Sequence, residues 1–577
     1  MRIVLVNWAK IWDGASHGGG VNGYCQALAL ALAARGHEVV SLFGGTTHLP
    51  PPPASPTGRA PCTIRRHHDW LGIRVFEVVN SPVLAPSIQQ FQDPLGEVSA
   101  PELEEQVGRF FEAIRPDVVH WHNIEGFSVG CVERGRAVGA RTIFSLHNYH
   151  TICPQVYLMR GHRIPCTDFD NGHACVGCIE TNPTSVERQR RIDGYLRFVG
   201  VDLTPPPPPP TVAQTAAELA ESLAWLGTTY RRAGRFVKAV LRGAGVIRPR
   251  PAPPPPPVPL PGQAIDDGVP LDRPLPLDSD DRGQTAAVLA SLSPAPPPDY
   301  DADPVYRPLL NVIQPEPPSA KPPTDYARRR EAMIGMLNAC DHVLAVSDFV
   351  RDKFISLGVR PDRIRTLHIG TRINHLVRHH HRLVFSPPPF RQDLPWDQQR
   401  PIRLVFMGYN HYYKGLGMFA ESLDLLEPRH LSRIDLAVHA LDGQSIEWMF
   451  RRMEPRLARL TFSHGYRYVD IPWLCGGKDL GVVCSVWWDN APQTVFEFLA
   501  CGVPVLGAEV GGIPDFVKDG VNGRLFRAND RRDLAARLVE IIENPSQLDA
   551  MRANVRPPKD IDVNAAELED IYSGRGG

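Results

Sequence analysis

The chain has two long parts in which short apolar runs alternate with helical patterns, residues 1–180 and residues 340–577. The apolar runs predict buried strands at 2–7, 37–43, 117–120 and 142–146 in the first part and at 342–346, 402–407, 434–439 and 481–485 in the second. An Ala/Leu-rich stretch from Val21 to Arg35, closed by Gly36, predicts a helix between the first two strands. Because such alternation is typical of α/β folds, we expect a parallel sheet in each part.

The stretch between the two parts is rich in proline. About half of the 58 prolines fall between Pro205 and Pro323, including the runs 205–210 and 253–257. Polyproline has no internal hydrogen bonds and builds no core, so this stretch is expected to be mostly extended or disordered. The sequence therefore predicts domains at 1–200 and 325–577, joined by an insertion at 201–324.

One part of the insertion, residues 216–246, has apolar residues at helical spacing and a basic second half. A basic amphipathic helix can lie on an anionic membrane surface, which makes peripheral membrane contact one interpretation. An ordinary helix docked on the protein, with a solvated basic face, is the other and is favoured.

Composition narrows the functional classes. The net charge of -1 and the pI near 7.1 argue against a nucleic-acid binder that works by broad electrostatics. No apolar run approaches the ~20 residues that span a bilayer, and the N-terminus does not fit a signal peptide. Eleven cysteines without an export signal favour free thiols or metal ligands over disulfides. We expect a cytoplasmic protein.

Residues 487–523 carry the most informative pattern. A short helix follows the apolar run 481–486, with Pro492 suited to its first turn, Asn490 or Asp489 as its cap, and Gly502 at its end. A helix N-terminus at the carboxyl end of a parallel strand presents unpaired N–H groups and partial positive charge. This end of the helix is therefore a candidate phosphate site.

Two carboxylates, Asp489 and Glu497, flank the candidate phosphate site. Carboxylates repel phosphate, so beside such a site they are better suited to accept hydrogen bonds from sugar hydroxyls. The pattern predicts a nucleotide-sugar pocket. A plain βαβ unit whose acids face solvent is the alternative.

The spacing of Asp489 and Glu497, with seven residues between them, resembles the E-x7-E motif of retaining GT-B glycosyltransferases of family 4. The segment that follows, GVPVLGAEVGGIPDFVKDGVNG, resembles the family's usual continuation. The resemblance implies two Rossmann-like domains facing across a cleft. In it, Asp489 contacts the donor sugar, Glu497 holds the ribose hydroxyls, and backbone amides near Gln493 and Thr494 meet the diphosphate. Asp489 departs from the family's glutamate by one methylene.

Two further segments match the family. FMGYNHYYKG places Lys414 at the lysine of a basic pair that offsets diphosphate charge, but Tyr409 occupies the position of the arginine. Arg372 and Arg467 are candidates for the missing cation. FSLHNYH resembles the S-x-H segment, which places His147 near the donor sugar. The histidines of DVVHWHN, at positions 120 and 122, either line the acceptor side or are packed.

Gly18, Gly19 and Gly20, together with Gly23, formally satisfy G-x-G-x-x-G. A loop of about ten residues separates them from the first strand, and the second strand lacks the expected acid, so the dinucleotide interpretation is weak. The glycines match the family's N-terminal glycine loop, which approaches the donor phosphate and the acceptor. A purely structural turn is the alternative.

Four cysteines lie in a loop at 153–178, namely Cys153, Cys166, Cys175 and Cys178. Their number favours a structural zinc site, with unliganded thiols as the alternative. Neither D-x-D pattern, at 168–170 or 301–303, follows a strand, and the run 379–381 is better explained as a solvated basic loop than as a metal site. The family needs no metal for catalysis, so no cofactor is required.

The resemblance implies a retaining, hexosyltransferase-type enzyme that moves a sugar from a UDP- or GDP-sugar to a glycan or lipid-linked acceptor, in polysaccharide or glycolipid biosynthesis. Another enzyme of this fold, such as a phosphorylase or an epimerase, is one alternative. A degenerate nucleotide-sugar-binding protein that recruits partners through its proline tract is the other, and Asp489 and Tyr409 motivate it.

Overall fold

The computed structural model describes residues 1–49, 60–179, 307–313, 315–391 and 393–575. These residues all belong to one compact unit, Met1–Val201 with Asp299–Gly577. The proline runs, the predicted helix at 216–246 and the D-x-D pattern at 301–303 lie outside the described residues.

The strands follow the predicted apolar runs closely. In chain order they are β1 (Arg2–Val6), β2 (Glu38–Thr47), β3 (Thr63–Arg66), β4 (Arg74–Val79), β5 (Val118–Trp121), β6 (Arg141–Leu146), β7 (Met159–Arg160), β8 (Ile164–Pro165), β9 (His342–Ala345), β10 (Ile364–Thr366), β11 (Ile402–Tyr409), β12 (Ile434–Leu441), β13 (Arg459–Ser463), β14 (Leu480–Val483), β15 (Val505–Ala508) and β16 (Gly523–Phe526).

These strands form two large sheets and one small hairpin. The first sheet has the order β10-β9-β6-β5-β1-β2-β4-β3 and is parallel except for β3. The second has the order β13-β12-β11-β14-β15-β16 and is parallel throughout. The central strands are apolar on both faces, as parallel strands covered by helices must be: Ile3, Val4 and Val6 are all fully buried. The expected α/β fold with two parallel sheets is confirmed.

Helices connect the strands and cover the sheets. They are α1 (Gly19–Ala34), α2 (Ser87–Gln90), α3 (Pro101–Ile114), α4 (Val129–Ala137), α5 (Asp325–Ala339), α6 (Asp348–Ser356), α7 (Ile373–His379), α8 (Leu416–Asp424), α9 (Pro428–Leu431), α10 (Glu447–Arg451), α11 (Ile471–Cys475), α12 (Gln493–Ala500), α13 (Ile513–Phe516), α14 (Arg531–Glu543), α15 (Ser546–Asn554) and α16 (Ile561–Tyr572). No helix among the described residues is both long and apolar enough to cross a membrane.

The predicted domain boundary at residue 325 does not coincide with the boundary between the sheets. Strand β9 pairs with β6, and β10 pairs with β9, so residues 342–366 extend the first sheet instead of opening the second. The C-terminal helix α16 also returns to the first sheet's helices, where Tyr24 Oη donates a hydrogen bond to Asn564 Oδ1 at 2.7 Å. A β-α-β pattern predicts a parallel pair of strands but does not reveal which sheet edge the pair joins.

Each sheet has a point where the strand order reverses. In the first sheet β1 lies between β2 and β5, and in the second β11 lies between β12 and β14. In open α/β sheets, ligands bind outside the carboxyl ends of the strands at such a point. The loops after β1 and β5 and those after β11 and β14 are therefore the places to examine for a site.

Candidate active site

The loops after β11 and β14 bring Lys414 and Asp489 together. Lys414 Nζ lies 2.9 Å from Asp489 Oδ2, and Ser485 Oγ donates to the same oxygen at 3.0 Å. The Asp489 side chain is almost fully buried, while that of Lys414 is about one-third exposed. Both residues thus lie at this edge of the second sheet, where they form a direct ion pair.

The predicted cap of the helix at 493–500 is wrong. Pro492 occupies the cap position and makes no side-chain cap hydrogen bond. The carboxylate of Asp489 is held by Lys414 and Ser485, so it is not available as a cap. Among the described residues, the first-turn N–H groups of Gln493 and Thr494 thus have no side-chain acceptor, which makes them suited to an anionic ligand. Gly502 closes the helix with φ +70°, as predicted.

Buried polar atoms without partners surround this ion pair. Glu497 Oε2, Trp487 Nε1 and both polar atoms of the Asn490 side chain are buried and accept or donate no hydrogen bond among the described residues. A buried polar group left unpaired costs roughly 1–3 kcal/mol, so these groups are suited to a ligand with many hydroxyls. Burial raises the pKa of Glu497 to about 7, against the opposing charge of Lys414.

The glycine loop of the first part reaches the same helix. A Cβ placed on Gly20 would lie 3.1 Å from Gln493 Cγ, so these residues are in close contact. Gly18, with φ +85°, caps helix α1, and Gly19 opens it. The N-termini of α1 and α12 therefore lie together, and both contribute partial positive charge where a diphosphate would be stabilised.

Gly511, in the loop after β15, fixes the backbone of Asp489. A Cβ on Gly511 would lie 2.1 Å from the Asp489 carbonyl oxygen, and Gly511 has φ +56°. The N–H of Gly512 donates to the same carbonyl at 2.7 Å. Only glycine permits this approach without moving the carboxylate, which gives a physical reason for the glycine pair after β15.

His147 follows β6 at the edge of the first sheet and belongs to a buried group of rings. Its Nε2 lies 3.1 Å from His122 Nδ1, and its ring centroid is 5.0 Å from that of Tyr24. Burial lowers the pKa of His147 to about 3, so the ring is neutral at neutral pH. A neutral imidazole here can exchange hydrogen bonds with hydroxyls but carries no charge to a phosphate.

His120 is a packed residue in this structure, and His122 lies between it and His147. The Nδ1 of His120 lies 2.6 Å from Tyr572 Oη and its Nε2 lies 2.8 Å from Ser145 Oγ. The rings of His120 and His122 are tilted by 37° with centroids 4.0 Å apart, and both residues are almost fully buried. Of the two alternatives for these histidines, the packed one fits His120, whereas His122 contacts His147 directly. Sequence patterns gave no sign of Tyr572, because it lies on the C-terminal helix 452 residues away.

Tyr409 is 46% exposed at the end of β11. Arg467, one candidate for the missing cation, forms an ion pair with Asp470, and its side chain is 80% exposed. Arg372 caps helix α7, which packs against α12, the helix that carries Glu497. Arg372 is therefore the better placed of the two arginines.

A cluster of aromatic rings, which the sequence did not predict, joins the loop at 153–178 to the loop that carries Lys414. Tyr157 stacks on Tyr413 with centroids 4.2 Å apart and meets the Trp487 edge at 5.0 Å. His162 Nδ1 is hydrogen-bonded to Tyr413 Oη. Lys414 Nζ lies 5.9 Å from the Trp487 ring. The cluster thus forms an aromatic wall beside the Lys414–Asp489 pair.

The four cysteines of this loop form no disulfide, and the structural zinc site stays a prediction. Within the described ranges, two groups of three side chains bring ligand atoms within 4.8 Å of one another, and neither contains a cysteine or the run 379–381: Asp348, His368 and Asp515; His375, Asp560 and Asp562. Burial raises the pKa of Cys166 to about 12, which favours the neutral thiol. The Asp170 carboxylate of the D-x-D pattern is paired with Lys321.

Both long parts of the chain match models of known glycosyltransferase families. The family model of the glycosyl transferase 4-like domain matches residues 19–177, and that of glycosyl transferases group 1 matches residues 389–557. The two matches together cover more than half of the chain. The chain belongs to the family 4-like GT-B glycosyltransferases. The second match begins near the start of the second sheet, in agreement with the boundary that the strand pairing defines.

Individual relatives match parts of the chain. A D-inositol 3-phosphate glycosyltransferase of Thermobifida fusca is 26% identical over 255 residues, which are 40% of this chain and 53% of that protein. The putative colanic acid biosynthesis glycosyltransferase WcaL of Salmonella typhimurium is 24% identical over 222 residues, 35% of this chain and 47% of that one. The matches thus span about half the length of these relatives. The fold is similar to that of a sucrose-phosphate synthase from Thermosynechococcus elongatus, with a TM-score of 0.50 at 13% identity, covering 100% of this chain and 98% of that one.

Proposed function

We propose that this protein transfers a sugar from a nucleoside diphosphate donor, a UDP- or GDP-sugar, to an acceptor hydroxyl with retention of the anomeric configuration. The observation that carries the proposal is the Lys414–Asp489 pair, 2.9 Å apart, at the edge of the second sheet where the strand order reverses. The same edge holds Glu497, a buried carboxylate with an unpaired oxygen. Cationic, anionic and unpaired polar groups are thereby available for the phosphates, the sugar and the ribose of one ligand.

Each group has a role in this proposal. Glu497 accepts hydrogen bonds from the ribose hydroxyls, and Asp489 orients the sugar ring. Lys414 and the first-turn amides beside Gln493 and Thr494 stabilise the charge that develops on the leaving diphosphate, as preorganised donors do in other phosphate-leaving reactions. The glycine loop at 18–20 adds the N-terminus of a second helix.

The bond that breaks joins the anomeric carbon of the sugar to the diphosphate oxygen, and the bond that forms joins that carbon to the acceptor oxygen. The acceptor proton passes to the leaving phosphate oxygen, so no protein base is needed on the acceptor side. His147 is neutral and holds a sugar hydroxyl near the reacting carbon. Catalysis requires no metal, because Lys414, Arg372 and two helix N-termini supply the positive charge.

For the acceptor, we propose a glycan or lipid-linked saccharide in polysaccharide or glycolipid biosynthesis. Support comes from two relatives, one a D-inositol 3-phosphate glycosyltransferase and the other a putative colanic acid biosynthesis glycosyltransferase. Lipid-linked acceptors place such an enzyme in the cytoplasm, peripheral to the inner face of the cell membrane.

The test is an assay of donor consumption in which proton NMR monitors the reaction. UDP-α- and GDP-α-sugars are incubated with the protein, with and without saccharide acceptors, and the first-formed anomer is identified. We expect an α-linked product, and loss of at least about 99% of the rate in Glu497→Ala and Lys414→Ala, since each removes a charged contact. A β-linked product contradicts retention, and unchanged rates in both variants contradict the site.

A nucleotide-sugar-binding protein without turnover is the second candidate, and the position of Tyr409 favours it. Where the family has an arginine, this chain presents a half-exposed phenol. Under this alternative, UDP or GDP binds with affinity that depends on Glu497, but no donor is consumed with any acceptor. If the missing positive charge is the reason that the donor is not consumed, the variant Tyr409→Arg, which restores the charge, consumes it.

A further inference from the structure

Four large apolar side chains are exposed on one side of the second sheet's loops. Leu383 and Phe385 follow helix α7. Val469 lies in the 3₁₀ turn before α11, and Trp473 lies in α11 itself. Their exposed fractions are 39%, 58%, 51% and 66%. We call these four residues the Trp473 patch. Single exposed apolar residues are ordinary, but neighbouring ones indicate a contact surface.

The two halves of the patch are adjacent in space. The N–H of Gly477, just after α11, donates to the carbonyl of Phe385 at 2.8 Å. A Cβ placed on Gly476 would lie 3.2 Å from the Phe385 ring and 3.4 Å from the carbonyl oxygen of Trp473. The turn His381–Leu383 also contacts helix α11, which carries Trp473. The two segments of the patch are therefore adjacent, although they are about 85 residues apart in sequence.

Basic residues border the patch. The segment 372–391 contains four arginines, four histidines and no acidic residue, in a chain whose net charge is -1. Arg378 is paired with Asp560, and Arg391 with Asp393. Arg382, which immediately precedes Leu383, is exposed and has no ion pair among the described residues. Arg467, next to Tyr468 and Val469, is paired with Asp470 but has an 80% exposed side chain.

We propose that the Trp473 patch binds the surface of an anionic phospholipid membrane. Tryptophan and phenylalanine partition into the interface between headgroups and acyl chains, and guanidinium groups pair with lipid phosphates. The exposed Arg382 beside Leu383 gives this surface a positive charge that is complementary to an anionic membrane. Membrane contact through this surface is independent of residues 216–246.

The patch also has a defined relation to the candidate active site. Helix α7, which leads into Leu383 and Phe385, packs against α12, the helix that carries Glu497. The patch and the proposed donor carboxylate therefore belong to neighbouring elements of the fold. A membrane bound at the patch lies beside the donor end of the site, where it can retain a lipid-linked acceptor.

The test is co-sedimentation of the full chain with vesicles of phosphatidylcholine alone and of phosphatidylcholine mixed with phosphatidylglycerol. We expect binding to the anionic vesicles that is weakened by added salt. The double variant Phe385→Ser/Trp473→Ser is expected to bind these vesicles with about tenfold lower affinity. Arg382→Glu removes the charge complementarity without touching the apolar side chains and is expected to weaken binding several-fold. Trp448→Ser and Arg109→Glu, at an exposed tryptophan and an exposed arginine outside the patch, are matched controls.

Three results would overturn the proposal. The first is that the wild-type chain does not sediment with anionic vesicles, and the second is that the double variant and Arg382→Glu both sediment as much as the wild type. The third is that the double variant changes the oligomeric mass in light scattering while vesicle binding stays the same, which would assign the patch to a protein contact. Thermal unfolding of each variant shows that it is folded, and UDP or GDP binding reports the candidate active site separately.

Discussion

Lys414 Nζ and Asp489 Oδ2 lie 2.9 Å apart, although their loops follow two different strands and are 75 residues apart in sequence. The pair lies where β11 meets β14, the point of reversal in the second sheet. In the free protein each charge neutralises the other. A bound diphosphate would compete for Lys414 and release Asp489 to a sugar hydroxyl, so the pair links phosphate binding to sugar binding.

Lys414→Met is expected to weaken UDP or GDP binding by about 10- to 100-fold, the equivalent of one charge-assisted hydrogen bond of about 1.5–3 kcal/mol. Lys414→Arg keeps the charge and should recover most of the affinity. Titration calorimetry measures both. Equal affinities in wild type and Lys414→Met would show that the diphosphate lies elsewhere.

Glu497 makes the stability of the folded state depend on pH. Its pKa is raised by burial from 4.5 to about 7, so between these values the folded protein keeps a proton that the unfolded chain has lost. Stability therefore falls as the pH rises through this window, by about 3 kcal/mol in total. The difference in unfolding free energy between wild type and Glu497→Gln should change by this amount across the window. A constant difference would mean that Glu497 is not buried as described.

Asn490 has a buried side-chain amide with no partner for either polar atom among the described residues. If the donor sugar satisfies it, Asn490→Ala weakens binding of the UDP- or GDP-sugar about tenfold and leaves binding of UDP or GDP itself unchanged. Asn554→Ala, at an exposed position on α15, serves as the control. Parallel titrations with nucleotide and nucleotide sugar check this, and an equal loss for both ligands argues against a role in sugar recognition.

Gly511 and Gly520 provide a matched pair of substitutions. Both have positive φ, +56° and +72°, so alanine strains either backbone by about 1 kcal/mol. A Cβ on Gly520 meets nothing within 4 Å, whereas one on Gly511 would lie 2.1 Å from the Asp489 carbonyl. Gly511→Ala should therefore also displace Asp489 and abolish nucleotide-sugar binding, while Gly520→Ala only lowers the melting temperature slightly. Intact binding by Gly511→Ala contradicts the positioning role of this loop.

The sequence was a good guide to the strands and to the sheet edge at which Asp489, Glu497 and Lys414 lie. Apolar runs predicted the main strands of both sheets to within a few residues, because strands buried on both faces are almost uniformly apolar. The spacing of Asp489 and Glu497, together with Lys414, pointed to one edge of the second sheet, and the structure places all three there.

Contacts between distant segments could not be read from the sequence. The join of β9 to β6 depends on which sheet edge is open, and local periodicity does not encode it. The helix cap was predicted wrongly because Asp489 is held by Lys414, a residue outside the local pattern. The aromatic wall of Tyr157, Tyr413 and Trp487 likewise draws on three separate loops.

The most direct test of the account is titration calorimetry of the wild-type chain and Glu497→Ala with UDP and with GDP. Because Glu497 Oε2 is buried and unpaired beside Lys414 and Asp489, we expect one of the two nucleotides to bind the wild type and to bind Glu497→Ala about tenfold or more weakly. Glu454→Ala, which changes an exposed glutamate elsewhere, should bind as the wild type does. Binding of neither nucleotide, or equal binding by wild type and Glu497→Ala, would contradict the assignment of this pocket to a nucleotide sugar.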